Sequence, residues 1–118
     1  MSRTLAAAFT VVLSHAAAHA AWPEKPIRLV VPYAPGGNID ITARTIAPGM
    51  SDALAAQIVI DNRGGAGGTI GTEVVAKSPP DGYTLLMGST GTLATSPALY
   101  PKLGFDPVRD FEIGRAHG

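Results

Sequence analysis

The sequence has 118 residues, with nine basic and nine acidic residues, three histidines and no cysteine. This length allows at most one small domain, and the balanced charge offers no basic stripe, so no nucleic-acid partner is expected. Disulfide-stapled scaffolds, the usual zinc sites and the commonest nucleophile–base pairs lack their residues, so we predict no metal, no cofactor and no enzyme.

Residues 1–20 have the layout of a secretory signal peptide. Arg3 supplies a positive charge, residues 5–13 are almost wholly apolar, and Ala18-His19-Ala20 has the small-x-small form of a cleavage site. The apolar run is too short to span a bilayer. We therefore expect export to the bacterial periplasm, an environment that suits a cysteine-free protein relying on its core. A buried N-terminal helix is the alternative.

Three segments rich in Val, Leu and Ile predict buried strands. They are IRLVVPY (27–33), QIVIDN (57–62) and YTLLMG (83–88). Pro32 is expected at the end of the first strand, where its missing N–H is harmless. Because helical segments separate the strands, their order predicts a parallel sheet of the α/β class.

Apolar residues at helical spacing predict a first helix from Ile39 onward. Asn38 is a suitable N-cap for it, and Asp40 falls in its first turn. Pro48-Gly49 interrupts the apolar spacing, so we expect a kink or an early stop there.

A glycine-rich run, RGGAGGTIG (63–71), predicts a turn before a second helix. This helix is expected from Gly71 to Lys77, with Val74 and Val75 facing inward. After the third strand we expect a polar loop at 89–92 and then a short helical piece around Ser96 to Tyr100.

Two of the predicted loops follow the carboxyl ends of strands, where open parallel sheets bind ligands. In the first, Gly36 and Gly37 precede a helix, so their N–H groups and those of the first helical turn point at one spot. The helix dipole adds about half a positive charge there, which favours an anion. In the second, hydroxyl groups at 89, 90 and 92 and the N–H of Gly91 can satisfy both oxygens of a carboxylate.

These loops are also compatible with ordinary strand–helix connections, because Pro-Gly-Gly-Asn is common turn chemistry. Asp40 would repel a bound carboxylate unless its oxygens accept backbone N–H groups. It could instead face the amine of an amino-acid-like ligand or have a purely structural role. The run at 63–71 misses the dinucleotide-binding pattern at Ile70, so nucleotide binding is not expected and this turn is interpreted as structural.

In order along the chain, KPIRLVVPYAPGGNIDITAR, IDNRGGAGGTIGTEVVAKSPPDGYTLLMGSTGT and SPALYPKLGFDPVRDF resemble the start of the Bug-type receptors. These are the extracytoplasmic solute-binding proteins of tripartite tricarboxylate transporters. The resemblance covers Pro26 to Phe111 and includes the turns Pro-Gly-Gly-x-x-Asp and Asn-Arg-x-Gly-Ala-Gly-Gly. It implies a periplasmic-binding-protein-like (type II) fold of two α/β lobes closing over a small carboxylate, with only the first part of lobe 1 in this chain.

The resemblance also implies which residues bind the ligand. In the family, the loop after the first strand and a later loop of the same lobe hold one carboxylate end. The positions that match are Tyr33, Pro35, Gly36, Gly37, Asn38, Asp40, Ser89, Thr90, Gly91 and Thr92. The implied partners are a small carboxylate or acidic amino-acid ligand and the membrane permease subunits of the transporter. Asn38 departs from the family, which often has a smaller or hydroxyl residue there.

We expect three divisions of the chain: a signal peptide (1–20), a partial N-terminal lobe (21–112) and a non-native tail (113–118). The tail is proposed because IGRAHG leaves the family pattern and its first five residues resemble the translation of a sequencing adaptor. Family receptors are far longer, so this fragment is expected to bind poorly alone and to lack part of its core.

Two alternative functions stay open at this point. A small secreted hydrolase would use Ser89 or Asp40 and would lose turnover on Ser89→Ala. A receptor that passes its ligand state to a sensor protein, and not to a permease, would have the same sequence features.

Overall fold

Three parallel strands and three helices make up the part of the chain that the structure, a computed structural model, describes, residues 21–112. The strands are β1 (Ile27–Val31), β2 (Ile58–Asn62) and β3 (Thr84–Leu86), and the helices are α1 (Asn38–Leu54), α2 (Thr69–Ala76) and α3 (Ser96–Leu99). A 3-10 turn (Ala66–Gly68) leads into α2, and a π-helical turn (Gly91–Thr95) leads into α3. The predicted signal peptide and the predicted non-native tail lie outside the described residues.

The sheet has the order β2-β1-β3, with β1 in the middle and both neighbours parallel to it. Val31 pairs with Asn62 of β2, and Val30 pairs with Leu86 of β3. The carboxyl ends of all three strands therefore meet at one edge of the sheet. The prediction of three parallel strands separated by helices is confirmed.

The central strand β1 is buried on both faces. Leu29 and Val31 form a core cluster with Ala43 of α1, while Val30 points to the opposite face and is also fully buried. Fully burying such a side chain contributes about 1.5–3 kcal/mol. On the other side of the molecule α2 contacts β1 and β3. The two helices thus cover a short sheet whose middle strand carries most of the apolar contact.

The first helix is longer than the predicted early stop allows. Pro48 lies inside α1, which continues to Leu54. Ala43 and Ala47 are buried on the face toward the sheet, and packing of this face supports the helix although an interior proline costs about 3 kcal/mol. The early stop is therefore wrong, whereas the alternative expectation, a kink at Pro48-Gly49, stays a prediction. Although α1 is 17 residues long, no helix within residues 21–112 has both the length and the apolar character needed to cross a membrane.

The second helix begins earlier than predicted. α2 starts at Thr69 and not at Gly71, because the glycine run turns sharply and leaves the chain in helical geometry two residues sooner. Val74 and Val75 are half-buried, and the buried positions of this helix are Gly71 and Thr72. The short helical piece predicted around Ser96 is confirmed as α3.

Candidate functional site

The first predicted loop connects β1 with α1. Gly36 has a φ of +94°, in the left-handed region that glycine tolerates. Gly37 is the N-cap of α1 and Asn38 is already its first helical residue, so the prediction of Asn38 as N-cap is wrong by one position. The Asn38 side chain instead accepts the N–H of Ile39 at 2.9 Å. Pro35 to Asn38 are exposed, so this turn is open to solvent.

The carboxylate of Asp40 holds this turn from inside the helix. Asp40 is only 3% exposed, and its Oδ2 accepts the N–H of Gly36 at 2.9 Å. The side chain also accepts from Asn62 at 2.9 Å and from Arg44 at 3.0 and 3.1 Å. Hydrogen bonds from Asn62, Gly36 and Arg44, in that order, lower the pKa of Asp40 to about 2. Asp40 is thus ionised, and its oxygens are occupied by protein donors.

The second predicted loop is mostly helical. Ser89 is the last residue before the helix, and Thr90 is already in helical conformation, so the predicted polar loop at 89–92 is corrected to a helix start. The reason is capping: Ser89 Oγ accepts the N–H of Thr92 at 3.4 Å, and its carbonyl accepts the N–H of Leu93 at 3.0 Å. The side chain of Thr92 is completely buried and bonds back to Ser89.

The structure brings the two segments into direct contact. Tyr33, from the end of β1, places its hydroxyl 2.7 Å from Ser89 Oγ. A Cβ on Gly91 would lie 3.4 Å from the same tyrosine hydroxyl, so the helix start approaches the ring closely at that position. The convergence follows from the sheet, because adjacent parallel strands end at the same edge.

The glycine-rich turn before α2, predicted to be only structural, packs against both segments of the site. A Cβ on Gly68 would lie 2.6 Å from the methyl group of Thr92 and 3.0 Å from Tyr33 Oη. A Cβ on Gly64 would lie 3.2 Å from the backbone N of Ala34 and 3.4 Å from the backbone C of Tyr33. Asn62 and Arg44, which bond Asp40, were also missed as site residues. The position of Asn62 at the end of a predicted strand was a usable sign, whereas Arg44 carried none.

Six of the ten predicted residues fall into two contacting groups. Tyr33, Ser89, Gly91 and Thr92 lie together, and Gly36 and Asp40 are bonded to each other. Within residues 21–112, no hydrogen bond joins Pro35, Gly37, Asn38 or Thr90 to the opposite segment. A surface depression among residues 97–110 includes none of the ten. The predicted residues thus lie along the carboxyl edge of the sheet, where Pro35 to Asn38 and Thr90 are exposed while Asp40 and Thr92 are buried.

Chemically, this edge offers hydrogen-bond donors without a catalytic base. In the described part of the chain, the side-chain partners of Ser89 Oγ are the hydroxyls of Tyr33 and Thr92, and no carboxylate or imidazole is bonded to it. Over the same residues no group of three metal-ligating side chains is found. A serine with only hydroxyl partners lacks the activation that nucleophilic catalysis needs.

Comparison with known proteins identifies the family. A family profile described as "Tripartite tricarboxylate transporter family receptor" matches residues 42–114. A curated relative from Pseudomonas sp. (strain P51), the UPF0065 protein in the tcbD-tcbE intergenic region, is 44% identical over 107 residues. That alignment covers 91% of this chain and 32% of the relative. The chain thus spans about a third of the length of the curated relatives it matches.

Solved structures give the same result for the fold. The periplasmic binding protein BugD is 43% identical with a TM-score of 0.70, over 77% of this chain and 30% of BugD. MatC from Rhodopseudomonas palustris, with bound malate, is 43% identical with a TM-score of 0.73, over 76% and 31%. Another R. palustris protein, with adipate, is 43% identical with a TM-score of 0.70, over 75% and 29%.

These likenesses confirm the predicted fold class, because the structural neighbours are periplasmic binding proteins and this chain covers only about a third of each of them. The matching family is one of receptors and not of enzymes, in agreement with the sequence-based prediction. The resemblance recognised from the three motif-bearing segments is confirmed as well. The chain belongs to the tripartite tricarboxylate transporter family of receptors.

Proposed function

We propose that the chain is the first part of lobe 1 of a periplasmic receptor that captures a small organic carboxylate for a tripartite tricarboxylate-type transporter. The segments 33–40 and 89–92, here named the half-site, receive one carboxylate group of the ligand. The second lobe of the complete receptor closes over the remainder. Candidate ligands are small di- and tricarboxylates and acidic amino acids.

The observation that carries this proposal is the contact between the two segments of the half-site. The 2.7 Å bond from Tyr33 to Ser89 holds the exposed Gly36-Gly37 turn and the helix start at Thr90 at the same edge of the sheet. Each segment begins a helix, whose first N–H groups have no backbone acceptor inside that helix. Within residues 21–112, the N–H groups of Gly36, Ile39 and Thr92 already donate to protein side chains. Those left for a ligand are at Gly37 and Asn38 in the first segment and at Thr90 and Gly91 in the second. Two such groups of donors side by side match the two oxygens of a carboxylate.

The charges near the half-site are compatible with an anionic ligand that no cationic side chain contacts directly. Asp40 would repel a carboxylate, but its oxygens accept four donor contacts and Arg44 lies at 3.0 Å. The local charge is therefore balanced, which leaves the backbone dipoles to decide the sign of the ligand. The relatives solved with malate and adipate are consistent with this class of ligand.

The test uses the complete receptor, expressed from the full reading frame that contains residues 21–112. Thermal unfolding is followed with a panel of malate, adipate, citrate, glutamate and uncharged sugars. A binding carboxylate raises the Tm by an amount that grows with the logarithm of its concentration above Kd, whereas the sugars leave it unchanged. No shift with any carboxylate would contradict the proposal. The isolated segment 21–112 is expected to show no shift, because one lobe cannot enclose the ligand.

Delivery to a permease and delivery to a sensor protein are separated by a second experiment. Genes for two membrane subunits next to the receptor gene favour transport. Deleting the receptor gene is then expected to abolish uptake of the radiolabelled ligand, and reintroducing the wild-type gene is expected to restore it. Unchanged uptake together with a lost transcriptional response would favour the sensor.

A further inference from the structure

We propose that Asn62 and Arg44 are positioning residues of the half-site, which fix the Gly36 turn through Asp40. Neither residue belongs to the two segments expected to touch the ligand. The inference deepens the proposed function and rests on it. The geometry of three side chains from two different elements supports it.

The amide of Asn62 has a partner for each of its groups. Its Nδ2 donates to Asp40 Oδ1 at 2.9 Å and to the carbonyl of Tyr33 at 3.2 Å. Its Oδ1 accepts from Arg44 Nη2 at 3.0 Å. The side chain of Asn62 thus binds the backbone of Tyr33, the carboxylate of Asp40 and the guanidinium of Arg44. An aspartate could accept from Arg44 but could not donate to Asp40 or Tyr33, and a leucine could make none of these bonds.

The place of Asn62 in the sheet explains how it reaches all three. It is the last residue of β2 and pairs with Val31 at the end of β1. The next N–H of the chain, that of Arg63, donates to the carbonyl of Val31 at 2.8 Å. The amide therefore projects from a rigid strand end toward the start of the neighbouring loop. A loop anchored to a strand varies less in geometry than one that only follows it.

Arg44 neutralises the negative charge of Asp40. It lies one helical turn after Asp40, and its Nε contacts both carboxylate oxygens, at 3.1 and 3.0 Å. The carboxylate is 4% exposed while the arginine side chain is 54% exposed, so the negative charge is the buried partner. Without Arg44 that charge would remain uncompensated beside the proposed anion site. Like charges at short range oppose binding, so Arg44 is expected to improve affinity without touching the ligand.

The experiment measures Kd for malate, or for the tightest carboxylate of the panel, by calorimetry on the complete receptor. Asn62→Asp places a second carboxylate next to that of Asp40, so the pKa of one of the two rises. We expect its affinity at pH 7.5 to be about tenfold or more below wild type, and the deficit to shrink toward pH 5 as the pair takes up a proton. Gln57→Glu, at the exposed residue just before the start of the same strand, is the matched control and is expected to bind like wild type at every pH.

A second pair of variants covers the case in which Asn62→Asp does not fold. Arg44→Gln, at a half-exposed helical position, is expected to weaken binding about tenfold, and Arg44→Lys is expected to recover part of the loss because the charge returns. A pH-independent deficit in Asn62→Asp, or equal affinity of Arg44→Gln and wild type, would overturn the inference. A wild-type receptor that binds no carboxylate overturns the proposed function itself, and the inference with it.

Discussion

Tyr33 and Ser89 are 56 residues apart in the chain, yet their hydroxyl oxygens lie 2.7 Å apart. This hydrogen bond joins the segment after β1 to the segment after β3 across the carboxyl edge of the sheet. Thr92 supports it from the helix start, since its Oγ1 lies 3.4 Å from Ser89 Oγ. The half-site is thus a single bonded unit, and its parts are expected to respond together to substitution.

Removing the tyrosine hydroxyl tests this unit. Tyr33→Phe keeps the ring and deletes the bond, so we expect the free energy of unfolding to fall by about 0.5–1.5 kcal/mol. Ser89→Ala is expected to cost a similar amount, and the double variant less than the sum, because both remove the same bond. Urea unfolding of the complete receptor measures all three. Tyr100→Phe, at an exposed tyrosine, is the control, and additive losses would contradict a direct bond.

Adding a methyl group at Gly68 tests the packing of the glycine-rich turn against the site. At a φ of +92°, with Thr92 Cγ2 only 2.6 Å from the new Cβ, Gly68→Ala is expected to lower the unfolding free energy by about 1–3 kcal/mol and to weaken ligand binding. Gly49→Ala is the contrasting change: it lies inside α1 with nothing within 4 Å, so it is expected to stabilise by about 0.5–1 kcal/mol. Thermal unfolding and calorimetry measure the two effects, and equal behaviour of the two variants would refute the close packing.

Replacing the proline within α1 tests how the helix tolerates it. Pro48→Ala restores a backbone donor in a helix that already continues to Leu54. We expect the unfolding free energy to rise by about 1–3 kcal/mol, with ligand affinity unchanged. Denaturant titration gives the first quantity and calorimetry the second. A loss of stability would indicate that the ring of Pro48 makes contacts worth more than the missing hydrogen bond.

The acid stability of the protein should depend on Asp40. Its pKa is lowered from 3.8 to about 2 on folding, so the ionised form is favoured in the folded state. The resulting stabilisation is present in full above pH 3.8 and is lost as the pH falls from there toward 2. Between pH 5 and pH 2, wild type should therefore lose more stability than Asp40→Asn. The pKa of Asp106 is also lowered, by hydrogen bonds from the backbone N–H groups of Arg109 and Val108. Asp106 therefore contributes equally to the acid sensitivity of wild type and of Asp40→Asn.

The control for this comparison is Asp52→Asn, because Asp52 is an exposed carboxylate on the same helix. Its variant should follow the wild-type acid profile. Far-UV circular dichroism at fixed denaturant concentration provides the curves. Parallel profiles for Asp40→Asn and wild type would show that the bonds to Gly36, Asn62 and Arg44 do not depend on the charge.

Strand positions could be predicted from the sequence because β1 is buried on both faces. Its short run of Val and Leu is apolar at successive positions, which is typical of a strand buried on both faces, and a proline flanks it on either side. The two strand–helix junctions were also found, since glycines and hydroxyl residues follow strands there. The helix starts were less accurate. At Asn38 and Thr90, hydroxyl or amide residues suit both a cap and a first turn, so composition alone does not separate the two positions.

Contacts between distant segments could not be predicted from local patterns. In the sequence, Gly68 is indistinguishable from an ordinary turn glycine. Its close packing against Tyr33 and Thr92 becomes visible only in the folded structure. Arg44 looks like a solvent-facing helical residue, and its bond to Asn62 depends on how α1 is rotated on the sheet. Such bonds follow from tertiary packing, which the order of elements limits but does not determine.

The central place of β1 has a consequence for the order in which the molecule assembles during synthesis. Among the strands of residues 21–112, the first to emerge from the ribosome is the one that pairs with a neighbour on each side. After Asn62 has appeared, one edge of β1 can pair with β2 while the other edge still bonds to water, and both edges are paired only once Leu86 is available. For that interval a very apolar segment remains exposed in a nascent polypeptide. Chaperones that recognise short hydrophobic stretches should therefore bind this protein at Ile27 to Val31 before any other strand.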